Sequence, residues 1–180
     1  MRKFVVIALA LATAACAPTA KQAFGPLLVR AQTQGLPVLV YAYGVPGQIS
    51  VAGSNSAVPV YVQFVVTADK PIQRVQFTLV GYSTRGNLVR GQQGLGIAVV
   101  LIGPGPFDPT KNYEVNSFHS SPAGFPGGDV ACVVLAKMEI LYADGRKQNY
   151  EAEALNPLLL PALRKGCGDQ GPPVNFMAGG

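Results

Sequence analysis

Histidine and charge are scarce in this chain, and the residue groupings on which most catalytic and metal sites rest are missing from it. His119 is the only histidine, so no imidazole pair is available to a metal, and no Cys-x-x-Cys occurs among the three cysteines. The carboxylates Asp108, Glu114, Asp129 and Asp144 are widely separated, which offers no compact loop site for calcium. There is no Gly-x-Ser-x-Gly elbow, and no Gly-Lys-Ser or Gly-Lys-Thr of a Walker loop. Gly91-Gln-Gln-Gly-Leu-Gly96 has glycines in number but not in the order of a dinucleotide fingerprint, and it reads as a turn. Neither a metal nor any other cofactor is expected.

His119 does stand close in sequence to Ser117, Ser120 and Ser121, a superficial likeness to a hydrolase. Serines so near the ring along one strand or loop are expected to point away from it or to compete locally for hydrogen bonds. His119 therefore reads as a loop or surface histidine, and no catalytic residue is assigned. An enzyme whose residues gather from separate loops stays open as an alternative, since linear spacing does not exclude it.

Charged residues make up only 13% of the chain, and the formal charge of +5 includes Arg2 and Lys3 at the extreme N-terminus. The remaining basic residues, from Lys21 to Lys165, are scattered rather than gathered into a stripe, so nucleic acid is not expected as a partner. What the chain has in quantity is apolar residues, at 49%, together with 21 glycines and 15 prolines. That combination supplies a core and many turns, favouring short strands over long helices and a single all-β domain.

The first residues, Met1-Arg-Lys-Phe-Val-Val-Ile-Ala-Leu-Ala-Leu-Ala-Thr-Ala-Ala-Cys16, join a positive start to an apolar run and small residues, the pattern of an export signal over 1–15. The run is shorter than the roughly 20 residues that a membrane span requires. Ala14-Ala15-Cys16 resembles the lipobox of bacterial lipoproteins, in which the cysteine is acylated and becomes the mature N-terminus. The resemblance implies lipidation at Cys16, and Ala17 in place of Asp implies sorting to the outer membrane, facing the periplasm. Ordinary signal cleavage, leaving a periplasmic or secreted protein, is the alternative, because Ala15-Cys16-Ala17 also fits a small-x-small site. Residues 16–35, with Pro18, Gly25, Pro26 and Gly35, read as a lipid-anchored tether, and 168–180 as a flexible tail.

Between them, residues 36–167 alternate in the manner of strands. Val60, Val62, Phe64 and Val66 share one face, as do Val75, Phe77 and Leu79, and the turn around Lys70-Pro71 is expected to join them as a hairpin. Residues 37–43 form an earlier strand, and 48–52 continue the pairing. Ser83 to Asn87 makes a turn before Leu88 and Val89. Residues 94–102 are apolar without clean alternation, which predicts a strand covered on both faces or one at the sandwich centre, stopped by Gly103-Pro-Gly-Pro-Phe-Asp-Pro109. Residues 113–117 form a short strand and 120–129 a mobile Gly/Pro-rich loop. Residues 130–142 are a long strand, with Asp144-Gly145 expected to close a two-residue hairpin onto 146–152. Asn156-Pro157 predicts the cap of a short C-terminal helix over 155–165, packing Leu158, Leu159 and Leu163 on the body. Tyr41, Tyr43 and Tyr61 offer the rings of an aromatic binding patch, but on strands they are expected to half-bury themselves against neighbours instead.

Val-Tyr-Val-Gln-Phe-Val-Val-Thr-Ala-Asp-Lys-Pro-Ile, leading into Val-Gln-Phe-Thr-Leu-Val-Gly-Tyr, together with the late Lys-Met-Glu-Ile-Leu-Tyr-Ala-Asp-Gly, resembles immunoglobulin-like domains of bacterial envelope proteins over roughly residues 55–152. The resemblance implies an immunoglobulin-like antiparallel β-sandwich and carries no catalytic residues. A non-enzymatic, lipid-tethered binding, adaptor or structural protein of the cell envelope is the function expected, with a membrane contact through the lipid and a protein partner. A subunit or assembly factor of a surface appendage or secretion system, binding through a strand edge, is a second expectation.

Acylation of Cys16, or its loss with the leader, leaves Cys132 and Cys167 in an oxidising compartment with no other evident use, and a disulfide between them is expected.

Overall fold

The computed structural model describes residues 20–45, 57–91, 96–111, 115–126, 130–159, 163 and 167; the leader, Cys16, residues 48–52 and the tail lie outside them. Its body is all-β. The strands are β1 (Val38–Gly44), β2 (Ala57–Val66), β3 (Ile72–Tyr82), β4 (Leu88–Val89), β5 (Ala98–Phe107), β6 (Val115–Pro126), β7 (Cys132–Tyr142) and β8 (Lys147–Glu151). They form a three-stranded sheet ordered β1-β2-β6 and a five-stranded one ordered β4-β3-β7-β8, in which β5 also pairs with β3. All the pairings are antiparallel.

Alternation sets the core. Val60, Val62 and Phe64 from the first sheet, and Val75, Phe77 and Leu79 from the second, are completely buried in one cluster. Burying the same alternate residues on both strands does not place them side by side, however. β2 and β3 belong to different sheets, so the expected hairpin is instead a crossing between layers, and Phe64 meets Phe77 across the interior with ring centroids 5.1 Å apart. Close approach of the layers is helped by Gly81 on β3, where a Cβ would come within 2.8 Å of the Phe125 ring on β6.

Three stretches read as loops are elements. Residues 120–126 continue β6, which pairs with β2 as far as Ala57 opposite Pro126. The ladder is irregular between Pro59 and Tyr61, and there the buried Ser120 Oγ accepts a hydrogen bond from the Val60 N–H at 2.8 Å. β5 runs through Gly103-Pro104-Gly105-Pro106 to Phe107 rather than stopping at Gly103. Among the described residues it pairs only with β3, and proline is compatible with an edge strand because the edge needs no donor on its free side. Its sides alternate, Val99 and Leu101 buried and Val100 and Ile102 exposed, which replaces the expected strand covered on both faces.

The third is the stretch expected as a tether. Ala20–Thr33 is a helix, α1, and Leu28 and Ala31 are buried against the outer face of the first sheet, Leu28 clustering with Leu39 and Val65. Gly25-Pro26 disguises it, since proline inside a helix removes a donor, but packing outweighs that loss. Gly35 marks its true end. With φ +67° it gives its N–H to Gln32 O while Leu36 N–H reaches Ala31 O, both at 2.9 Å, a Schellman motif.

The late hairpin also differs in detail. Gly145 alone has positive φ, +84°, and Tyr142 O accepts its N–H, while Arg146 O accepts the N–H of Tyr142. Ala143, Asp144 and Gly145 thus form a three-residue loop with a glycine bulge, not a two-residue turn that would need positive φ at Asp144 too. At the C-terminus a 3-10 helix, Ala152–Leu158, replaces the expected α-helix. Asn156 and Pro157 lie inside it rather than at its start, and Leu159 is already extended, bridging Val40. Leu155, Leu158 and Leu159 are buried in the main core all the same.

Candidate functional site

Cys132 lies at the head of β7, registered with Tyr82, and is disulfide-bonded to Cys167, with 5.8 Å between their Cα atoms. Cys167 packs on an outer cluster of the second sheet formed by Val80, Tyr82 and Ala136. Tyr43 holds the same segment from the other side, donating to Leu163 O at 3.2 Å. Burial pushes the Tyr43 hydroxyl above the ordinary tyrosine range. The cysteine pair is structural; Cys16, where lipidation is expected, lies outside the described residues.

Residues two apart on a strand share a face. On the outward face of β6 this brings Ser117 and His119 together, with Oγ and Nε2 3.3 Å apart. Ser117 does not point away as expected, whereas Ser120 does, turned into the interior. Pairing of Tyr61 with His119 adds an aromatic ring with its centroid 6.1 Å from the imidazole, and Gln63 reaches Ser117 Oγ at 3.5 Å. The group is exposed or half-buried, on a flat sheet face. It can hydrogen-bond and stack. Among the described residues no three His, Cys, Asp or Glu side chains converge as metal ligands.

The tyrosines go to separate places: Tyr41 packs beside the Leu28 cluster, Tyr43 on the core and Tyr61 beside His119. They do not form one aromatic patch. Open clefts lie elsewhere. One of about 650 Å³ lies between α1, β1 and the C-terminal 3-10 helix, with Leu36, Leu39 and Leu159 in its lining and Arg30 and Glu153 among its charged groups. Another, of about 510 Å³ at the end of the sandwich, includes Lys70, Asp69, Gln148 and Arg146, whose guanidinium stands 4.4 Å above the Tyr142 ring.

The most unusual surface is an edge. Residues 98–103 of β5 carry no charge and no proline, and nothing among the described residues pairs with their far side. Val100 and Ile102 are 39% and 53% exposed on the outer face. The other end of the same sheet, β8, is guarded: it is short, begins with Lys147 and ends with Glu151, which pairs with Lys137 at 3.1 Å. The sequence signal for β5 was its unbroken apolar run, but a run says nothing about which neighbour is missing. Compared with known proteins, the chain matches no family model, no curated protein and no solved structure.

Proposed function

We propose that this protein is a non-enzymatic binding or adaptor module of the bacterial cell envelope, anchored through a lipid on Cys16 in the outer membrane and built on an immunoglobulin-like sandwich. The observation that carries the binding role is the bare edge of β5, with Val100 and Ile102 turned outward. The strand order supports the fold: β1-β2-β6 and β3-β7-β8 follow the A-B-E and C-F-G orders of immunoglobulin sandwiches. The disulfide suits an exported chain. A second reading, a subunit or assembly factor of a surface appendage or secretion system, draws on the same edge, because such assemblies join by strand addition.

Fractionation of cells making the wild-type and Cys16→Ala chains, with crosslinking in the intact envelope, tests the proposal. The wild type is expected in the outer-membrane fraction, crosslinked to protein, and Cys16→Ala in the soluble periplasm. A Cys16→Ala chain still in the membrane overturns the lipid anchor. A hydrolytic activity abolished by His119→Ala overturns the non-enzymatic role.

A further inference from the structure

We infer that the exposed edge of β5 is the joint of a two-fold dimer, in which residues 98–103 of two copies pair antiparallel and run the second sheets of both into one. The inference rests on the reading of β5 as a contact edge and names its occupant, a second copy of this chain.

Two features point to a copy rather than a foreign strand, and two more leave the joint unopposed and give it an end. First, the edge suits itself. Two identical strands related by a two-fold axis run antiparallel, and with the axis beside Leu101, Val100 of one copy stands opposite Ile102 of the other. All four outward apolar side chains then lie in adjacent cross-strand pairs. Second, the inward side does not clash: Val99 falls opposite Gly103 of the second copy, and both positions are already buried in their own cores. Third, charge does not oppose the joint. The nearest outward side chains on β3, in register with Ile102 and Val100, are the neutral Gln76 and Thr78. Lys137, Glu139 and Glu151 lie farther off on β7 and β8, paired among themselves at 3.1 and 3.6 Å, and Arg74 is registered with Pro104, beyond the joint. Fourth, the ladder has a built-in end, since Pro104 has no N–H to extend it.

The joint is small. Six residues of strand span about 20 Å, and the area covered falls below the roughly 1,000 Å² of a standing interface, so the dimer should form at high protein concentration and dissociate on dilution. Because a two-fold joint uses the edge of both partners, association stops at two.

Sedimentation velocity on the purified exported protein, from roughly 10 μM to 1 mM, is the experiment. The wild type is expected to shift from monomer to dimer, and Ile102→Lys, a change at an exposed position, to remain monomeric at every concentration with an unchanged melting temperature. A register-specific check does not depend on that variant: Val100→Cys protein mixed with Ile102→Cys protein should form a mixed disulfide faster than either forms with itself. A wild type that is monomeric at the highest concentration, or an Ile102→Lys chain that associates as the wild type does, overturns the inference. So do crosslinks from position 102 to a different protein without self-association, a result that would leave the binding role standing.

Discussion

Tyr150 shows how one side chain ties the edge of the second sheet to its chemistry. Its ring packs on the main core, and its hydroxyl and that of Tyr142 both donate to Gln148 Oε1, at 3.1 and 2.6 Å. Burial, with the neighbouring Tyr142 adding to it, pushes the Tyr150 hydroxyl from 10.0 up to about 12. Folding therefore favours the neutral phenol, whose stabilising share is whole below the unfolded value and is lost as pH rises through the folded one. Thermal unfolding is expected to show stability declining between about pH 10 and about 12. Tyr150→Phe should decline less steeply across that window, and parallel curves for the two proteins would remove Tyr150 from the account. Ser120 makes the opposite point about legibility. Nothing in Ser120-Ser121-Pro122 announces a hydroxyl turned inward to satisfy Val60, because the need arises from an irregularity in another strand.

Elements were legible where periodicity and turn chemistry agreed, and obscure where tertiary packing overruled a local signal. Val75, Phe77 and Leu79 announce the buried side of β3 directly, and Met138 and Ile140 that of β7. Which sheet a strand joins is another matter, since β2 and β3 bury the same pattern whether they pair or face each other. α1 was hidden by Gly25-Pro26, although Gly35, read as part of a linker, is in fact the glycine that closes the helix. The Asp144-Gly145 hairpin was legible in place but not in length. Its glycine occupies the left-handed region, so Gly145→Val is expected to cost about 1–2 kcal/mol and lower the melting temperature by several degrees. An unchanged melting curve would count against the turn as described.

The whole molecule is closed by its C-terminal segment, which leaves β8, crosses the core at Leu155 and Leu158, touches β1 at Leu159 and returns to β7 through Cys167. The bond spans 35 residues, and on the chain-entropy argument Cys132→Ser with Cys167→Ser should lower the unfolding free energy by about 3–4 kcal/mol. Urea denaturation without reductant measures this, and an unchanged midpoint would mean that apolar packing alone holds the segment. The helix at the other end of the chain bears on the proposed lipid anchor. Only residues 17–19 separate Cys16 from Ala20, the first residue of α1, and four Cα steps reach at most about 15 Å. With Cys16 as the lipid-bearing residue, the sandwich has no long leash: it is moored against the bilayer by a helix packed on its own flank. Its encounters are then confined to two dimensions, where neighbours drifting in the same leaflet meet at a far higher local concentration than in bulk fluid, and even a short strand joint can hold.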